Sequence, residues 1–468
     1  MKNIIALVGF FCVFGSTVFS GDISPVRIPP SFDVPKSQNK RAVFVDMKTA
    51  DYRITYYVKN KEASAASILH FFMPESGLPI IDLVTEPNSV YLNGVVVETK
   101  EIDLPNGGKV RVLDREVLRG PHQVLIQHKI RHGITFNRRG VKQAFFMSDL
   151  DDRSFLEQYL PTSWEYDQYA MKLKVEVKDG RTKQKVFTNG RILRQTNTEW
   201  EIEFPEYFNS SSPYFHITAA SAMMDEEFEY YSSNGRIIPI QIYKKRSEVK
   251  VDLRKFKKKT IDILDNLEND FGPFPHQKVV IYGMNMPGGM EFSGAIFTGS
   301  GALSHELFHS YFARGVLPDS GNSGWMDEAF ARWRDHQFRG VNELTHLKAN
   351  LANRGEYVRA TTRLAYKEGA NFLGYLSYLF ETQQNPNSLK DFLREFLTLR
   401  MHQTVNSEIL LQDLERYFQQ SLHPLFRDYV YGGVEKGQEL PESSDDLEDW
   451  SESIMHLKLN RKLLESYL

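Results

Sequence analysis

From about Ala42 to Ala220 the apolar positions come in short runs broken by turn residues. Tyr52-Arg53-Ile54-Thr55-Tyr56-Tyr57-Val58 alternates in character, the two-residue period of a strand with one buried face. Asn93-Gly94 stands between Val90-Tyr91-Leu92 and Val95-Val96-Val97, the signature of a two-residue hairpin. Asn106-Gly107-Gly108, Asp179-Gly180 and Asn189-Gly190 mark further turns. This half is predicted to be an antiparallel β-sandwich, or saddle, over residues 41–225.

The period changes after Met223-Met224-Asp225. Ile237 to Tyr243 reads as a strand, and then Leu253, Phe256, Ile263, Leu264, Leu267 and Phe271 recur at helical spacing. The basic run at 254–259 falls on the polar face of that helix, which predicts a solvated surface. Lys278 to Tyr282 reads as one strand and residues 288–297 as another. Helical patterns follow around 368–383, 388–400 and 407–420, giving an α+β domain over 226–432. Residues 21–40, with Pro25, Pro29, Pro30 and Pro35, read as an extended leader. Residues 433–468 open as an acidic, apolar-poor linker and close on a short amphipathic stretch. No internal repeat is apparent.

Composition adds bounds to this picture. The 468 residues are more than one core ordinarily serves, so two folded units are expected. A net charge of −3 gives no reason to expect nucleic acid or an anionic membrane as partner. Lys2, the apolar run Ile4 to Phe14, and Val18 and Ser20 before Gly21 have the form of a cleaved signal peptide over 1–20. The apolar run is short for a retained anchor, so export to a periplasm or to the outside is expected without stable membrane insertion. The single cysteine, Cys12, lies inside that run, and the mature chain would hold neither disulfides nor thiolate ligands.

Against this background His305-Glu306-Leu307-Phe308-His309, with Glu328 in the following WMDEAFARW segment, stands out. Residues four apart on a helix lie nearly above one another, so His305 and His309 can offer two imidazoles to one ion. Glu306 is turned about 100° away, placed to meet a water rather than the metal. Glu328 from a second helix would complete a His2Glu set with an open fourth position, the mark of a catalytic zinc. Zinc so held would acidify its water, and Glu306 would take the proton. Asp335, two turns after Glu328 on the same face, is placed to orient one ligand imidazole. The other eleven histidines show no metal-ligand spacing.

These segments resemble the gluzincin aminopeptidases, the family of aminopeptidase N and leukotriene hydrolase. HELFH and GWMDEAFARW resemble its zinc core. GGMEF at 288–292 is similar to its G-x-M-E-N exopeptidase motif, and AYKEGANFL at 365–373 to its catalytic tyrosine segment. The likeness spans roughly residues 40 to 430 and implies a thermolysin-like domain behind the sandwich. It implies one zinc on His305, His309 and Glu328, with Glu306 as general base and Asp335 behind the ligands. Tyr366 would donate to the oxyanion. Glu291 would grip the free α-ammonium of a peptide lying along Gly288, Gly289 and Met290. Phe292 replaces the motif's asparagine, Tyr366 follows Glu328 more closely than is usual, and residues 433–468 are too few for the family's large C-terminal helical domain. The expected function is an exported zinc aminopeptidase. An endopeptidase, an epoxide hydrolase and a zinc-bearing interaction protein are the alternatives, and the oligomeric state is open.

Overall fold

The computed structural model describes residues 28–34, 40–105, 108–146, 159–319, 323–344, 349–352, 357 and 364–433. The expected signal segment with Cys12, most of the proline-rich stretch 21–40, Asn106-Gly107 and the chain beyond Gly433 lie outside these residues.

Strict alternation builds the first half. In Glu62–Met73 the residues Ala63, Ala65, Ser67, Leu69, Phe71 and Met73 are buried while their neighbours face outward. This strand is central in an eight-stranded sheet ordered 191–195, 199–203, 170–178, 46–57, 62–73, 120–130, 89–92, 95–96. The sheet is antiparallel except where Ala170–Lys178 runs parallel to Asp46–Tyr57. That pairing needs a long return of chain, and no local pattern could have announced it. A four-stranded sheet packs on one face through Val141, Ala144, Val186, Phe215 and Ile217. A five-stranded sheet carries a second cluster around Phe44, Ile80, Val112 and Trp164. Asn93 and Gly94 take φ of 51° and 80° at the expected hairpin tip. Asn189-Gly190 is different, because the strands on either side of it belong to different sheets.

The second half is a five-stranded sheet ordered 223–231, 237–245, 279–283, 295–298, 289–292, so Met223–Asp225 already belongs to it. Its three middle strands are parallel, and Val279–Gly283 is buried at every position. Val279 and Ile281 face the helical core, while Val280 and Tyr282 face Phe145, Phe187 and Tyr214 of the sandwich. One strand thus joins the helices on one side to the β-rich half on the other.

The expected single strand over 288–297 is instead a hairpin, Gly289–Phe292 and Ala295–Thr298, turned at Ser293-Gly294. Gly294 has φ +72°, and a Cβ there would lie 2.4 Å from Lys278 O, so only glycine fits. The helix Leu253–Phe271 follows its period: Asp252 caps it through Arg254 N and Lys255 N, and Phe256, Ile263, Leu264, Leu267 and Phe271 are buried. The later helices are Ala370–Thr382, Leu389–Arg400 and Ser407–Phe418. Among the described residues no helix is long and apolar enough to cross a membrane.

Candidate metal centre

Leu303–His309 is a two-turn helix whose Leu303, Leu307 and Phe308 enter the helical core. That anchoring turns His305 and His309 together toward the next helix, Trp325–Asp335. The latter is fixed by Trp325 and Trp333, both fully buried, with Trp325 Nε1 donating to Ser407 Oγ at 3.0 Å. Glu328 on this helix completes the group. His305 Nε2 and His309 Nε2 are 3.1 Å apart, and Glu328 Oε2 lies 3.3 and 3.8 Å from them. The three donor atoms fall within 4.8 Å of one another.

The donor set fits zinc. Tetrahedral zinc with bonds near 2.05 Å holds its ligand atoms about 3.3 Å apart, close to the separations found here. His305 Nδ1 is 2.8 Å from Asp335 Oδ2, and His309 Nδ1 is 3.3 Å from Phe312 O. Each Nδ1 therefore carries the proton in the neutral ring, and two Nε2 lone pairs face each other with Glu328 Oε2 beside them. Glu328 Oε2 is buried and accepts no hydrogen bond among the described residues. A divalent cation satisfies that arrangement with both rings neutral. The acidic partners favour positive charge at this point: burial disfavours a charged His305, yet Asp335 and Glu328 outweigh it and push its pKa up to about 11, so a metal ion would take the place of that proton.

Glu306 is buried beside this group. Burial first, and the Glu291 carboxylate second, raise it well above the ordinary carboxylate range. It packs flat against the edge strand. A Cβ built on Gly289 would lie 2.7 Å from Phe297 O and 2.8 Å from Glu306 Cγ and Cδ, so glycine is required by the paired strand and by the seat of Glu306 together. Gly288 is exposed with φ +80°, its carbonyl accepting from Gly299 N and Thr298 Oγ1. Met290 packs its side chain toward the sandwich, and Phe292 is buried against Tyr214.

Glu291 stands on the same strand and is not a lone carboxylate. Its Oε1 is 3.1 Å from Arg314 Nη2, and Arg314 Nη1 donates to Ser211 Oγ at 2.8 Å.

Tyr366 reaches the group by an unusual route. It sits in a π-helical turn, Ala365–Gly369, that opens the helix Ala370–Thr382. Gly369 lets this turn touch the Glu328 helix, since a Cβ there would be 2.7 Å from Ala329 Cβ. The Tyr366 hydroxyl donates to Glu328 Oε1 at 2.7 Å. The residue as a whole is 42% exposed, while desolvation at the hydroxyl end and the Glu328 charge hold its pKa above the usual phenol value. Of the neighbouring tyrosines, Tyr378 packs beside Gly340 instead.

The structure brings His305, His309 and Glu328 together, with Asp335 and Tyr366 hydrogen-bonded to them and Gly289 against Glu306; Glu291 is held by Arg314, Gly288 lies just before the edge strand, and Met290 is turned into the apolar seam. Arg314 and Ser211 were not foreseen. The available signal was a lone arginine within the apolar run YFARGVL, since a charge in such a run is buried and must be paired.

No family model and no curated protein matches the chain. Solved structures do. An M1 zinc metallopeptidase from Deinococcus radiodurans, bound to a Tyr-Ser-Ala substrate, superposes with a TM-score of 0.60 at 15% identity, over 85% of this chain and 97% of that one. A two-domain M1 zinc metallopeptidase bound to L-arginine gives 0.57 at 14% identity, over 80% and 91%. Leukotriene A4 hydrolase from Saccharomyces cerevisiae gives 0.59 at 11% identity, over 82% of this chain and 66% of that one. The chain therefore has the fold of the M1 zinc metallopeptidases, a β-rich half followed by an α+β half.

Proposed function

We propose that this protein is a zinc-dependent peptidase that releases residues from the amino end of peptides. The observation that carries the reading is the convergence of His305 Nε2, His309 Nε2 and Glu328 Oε2 beside buried Glu306. The bound peptide and amino acid in the similar solved structures support the substrate class. Zinc, when bound, supplies a Lewis acid that acidifies water and polarises a carbonyl.

The chain's own residues do the rest. Asp335 and Phe312 O fix both imidazole tautomers through Nδ1. Glu306 takes a proton from the attacking water and passes it to the departing amine. Its raised affinity for protons suits that exchange, and a cation nearby returns it to the charged form needed of a base. Tyr366, whose hydroxyl donates to Glu328 Oε1 at 2.7 Å, turns that one O–H from Glu328 to the developing oxyanion. Glu291, at the edge strand, faces the first residue's ammonium. The segment 1–20, with Lys2 and the apolar run Ile4 to Phe14, supports export as the setting.

The test is turnover of an unmodified peptide by the zinc-loaded protein, with products read by mass. A ladder shortened one residue at a time from the amino end is expected. Glu306→Gln should lower kcat by about a thousandfold while zinc content stays at one per chain. Cleavage at internal bonds alone would overturn the aminopeptidase reading, and an undiminished rate in Glu306→Gln would overturn the mechanism.

A further inference from the structure

Glu291 is the group that faces the arriving ammonium, and a glutamate side chain has several rotatable bonds to order before it can grip one. Its strand neighbours Met290 and Phe292 turn apolar side chains into the seam. Arg314, buried in the loop that follows His309, reaches Glu291 Oε1 with Nη2 at 3.1 Å. Its other terminal nitrogen, Nη1, donates to Ser211 Oγ at 2.8 Å. Ser211 is itself fixed: its hydroxyl donates to Asn209 Oδ1 at 3.1 Å, which leaves a lone pair for the guanidinium. Asn209, Ser211 and Arg314 are all buried, so this chain of contacts is shielded from water. The same β-rich loop holds the hairpin that carries Glu291, through Ser293 Oγ donating to Ser212 Oγ at 2.8 Å. At its backbone Arg314 is tied to the metal ligands, because its N–H donates to His309 O at 3.0 Å. The preceding Ala313 holds φ +110°, a conformation that an L residue keeps only when its surroundings impose it.

We propose that Arg314 is a positioning residue that, anchored on Ser211, fixes Glu291 relative to the metal ligands, so that the amino end is gripped with the first peptide bond beside Glu306. This rests on the aminopeptidase reading and deepens it. A guanidinium suits the task because it offers its N–H groups in one rigid plane, here one for each half of the molecule. Glu291 keeps its charge in that hold, since after burial it is the second cause of the raised Glu306. The carboxylate is aimed without being cancelled. Its side chain is 19% exposed and that of Arg314 only 5%, so the ammonium meets the carboxylate and not the guanidinium. A carboxylate already aimed loses less freedom on binding and grips harder. Without Arg314 it would sample other rotamers, and the preference for a free amine would weaken while the metal-binding end of a ligand would notice little.

The test reads binding, so it does not depend on turnover. Zinc-loaded full-length wild type, Arg314→Met, Ser211→Ala, Glu291→Gln and the double variant Arg314→Met with Glu291→Gln are titrated by calorimetry with two ligands. One is leucine hydroxamate, and the other is 4-methylpentanohydroxamate, the same molecule without its amine. Their affinity ratio isolates the amine grip, because zinc loss or general loosening weakens both alike. Wild type should favour the amine by about a hundredfold. Arg314→Met should cut that ratio about tenfold and keep the affinity for the ligand without an amine. Ser211→Ala should cut it about threefold; if Arg314→Met does not fold, an unmoved ratio in Ser211→Ala overturns the proposal. Glu291→Gln should bring the ratio within about threefold of unity, and the double variant should lose nothing further, since Arg314 acts through Glu291. A ratio unmoved or raised by Arg314→Met would overturn the proposal, as would a further loss in the Glu291→Gln background. If Glu291→Gln alone still abolished the preference, the aminopeptidase reading would stand. A wild type without amine preference would also overturn the proposal, and the ladder of peptide products would then decide separately whether the aminopeptidase reading survives.

Discussion

The absence of a side chain at Gly289 sets the position of one at Glu306. Gly289→Ala places a methyl 2.8 Å from the Glu306 carboxyl and 2.7 Å from Phe297 O, and the edge strand cannot retreat without losing its pairing to Ala295–Thr298. Overpacking of this kind costs about 1–3 kcal/mol. Gly289→Ala should therefore lower the thermal midpoint and depress kcat with zinc still bound, and an unchanged kcat would show that Glu306 does not need this seat. Asp335 tests a different link. Asp335→Asn removes the carboxylate 2.8 Å from His305 Nδ1. Zinc affinity should fall about 10- to 100-fold, read by competition with a chromogenic chelator, and an unaltered affinity would contradict the orienting role. His305 with His309, and Glu328 with Asp335, could each be paired from spacing because helix geometry fixes which residues of one helix share a face. Gly289's partner and Arg314's could not, since both lie far away in sequence.

At the level of elements, the helices follow their patterns closely and the irregular pieces do not. Leu253–Phe271 and Leu389–Arg400 were visible because a 3.6-residue period repeats over several turns. The hairpin Gly289–Phe292/Ala295–Thr298 looked like one strand because its turn is only Ser293-Gly294 within apolar neighbours. The π-turn Ala365–Gly369 carries no sequence signature, yet it decides where Tyr366 points. Gly369→Val should separate this turn from Ala329 and carry the Tyr366 hydroxyl away from Glu328. Its expected effect is a loss of about tenfold or more in kcat with zinc content retained, measured on the same peptide substrate. Full activity in Gly369→Val would argue that Tyr366 acts from another pose.

Across the whole molecule, the two halves meet at a seam rich in aromatic rings and buried histidines. Phe187 stacks on Tyr243 at 3.6 Å and Tyr243 on Tyr282 at 4.7 Å. His216 Nδ1 lies 2.9 Å from the Tyr243 hydroxyl, and His276 Nε2 donates to Ser310 O just past His309. Burial, helped by Lys245, pulls the His216 pKa down to about 3, and burial, helped by Arg236, pulls His402 down to about 4. Burial and then His402 lower His276 as well. Above pH 6.5 these rings are neutral in both folded and unfolded chains and contribute no pH dependence. Below 6.5 the unfolded chain binds protons that the folded chain refuses, so stability falls by about 1.4 kcal/mol per pH unit for each such ring. The loss runs from 6.5 down to about 4 for His402 and about 3 for His216. Denaturant midpoints should drop between pH 7 and pH 5, and His216→Phe should drop less steeply by one ring's share. Equal slopes for the two proteins would refute the assignment.

Local sequence determined the strand and helix periods, the turn at Asn93-Gly94, the spacing of His305 and His309, and the polar stripe that sets Asp335 with Glu328. Each is a relation between residues a few positions apart, and backbone geometry alone converts it into a shared face. Tertiary structure decided the parallel pairing of Ala170–Lys178 with Asp46–Tyr57, the packing of Glu306 on Gly289, and the capture of Glu291 by Arg314 and Ser211. Those depend on which distant surfaces exclude water together, a choice made by the packing of the entire chain rather than by any segment of it.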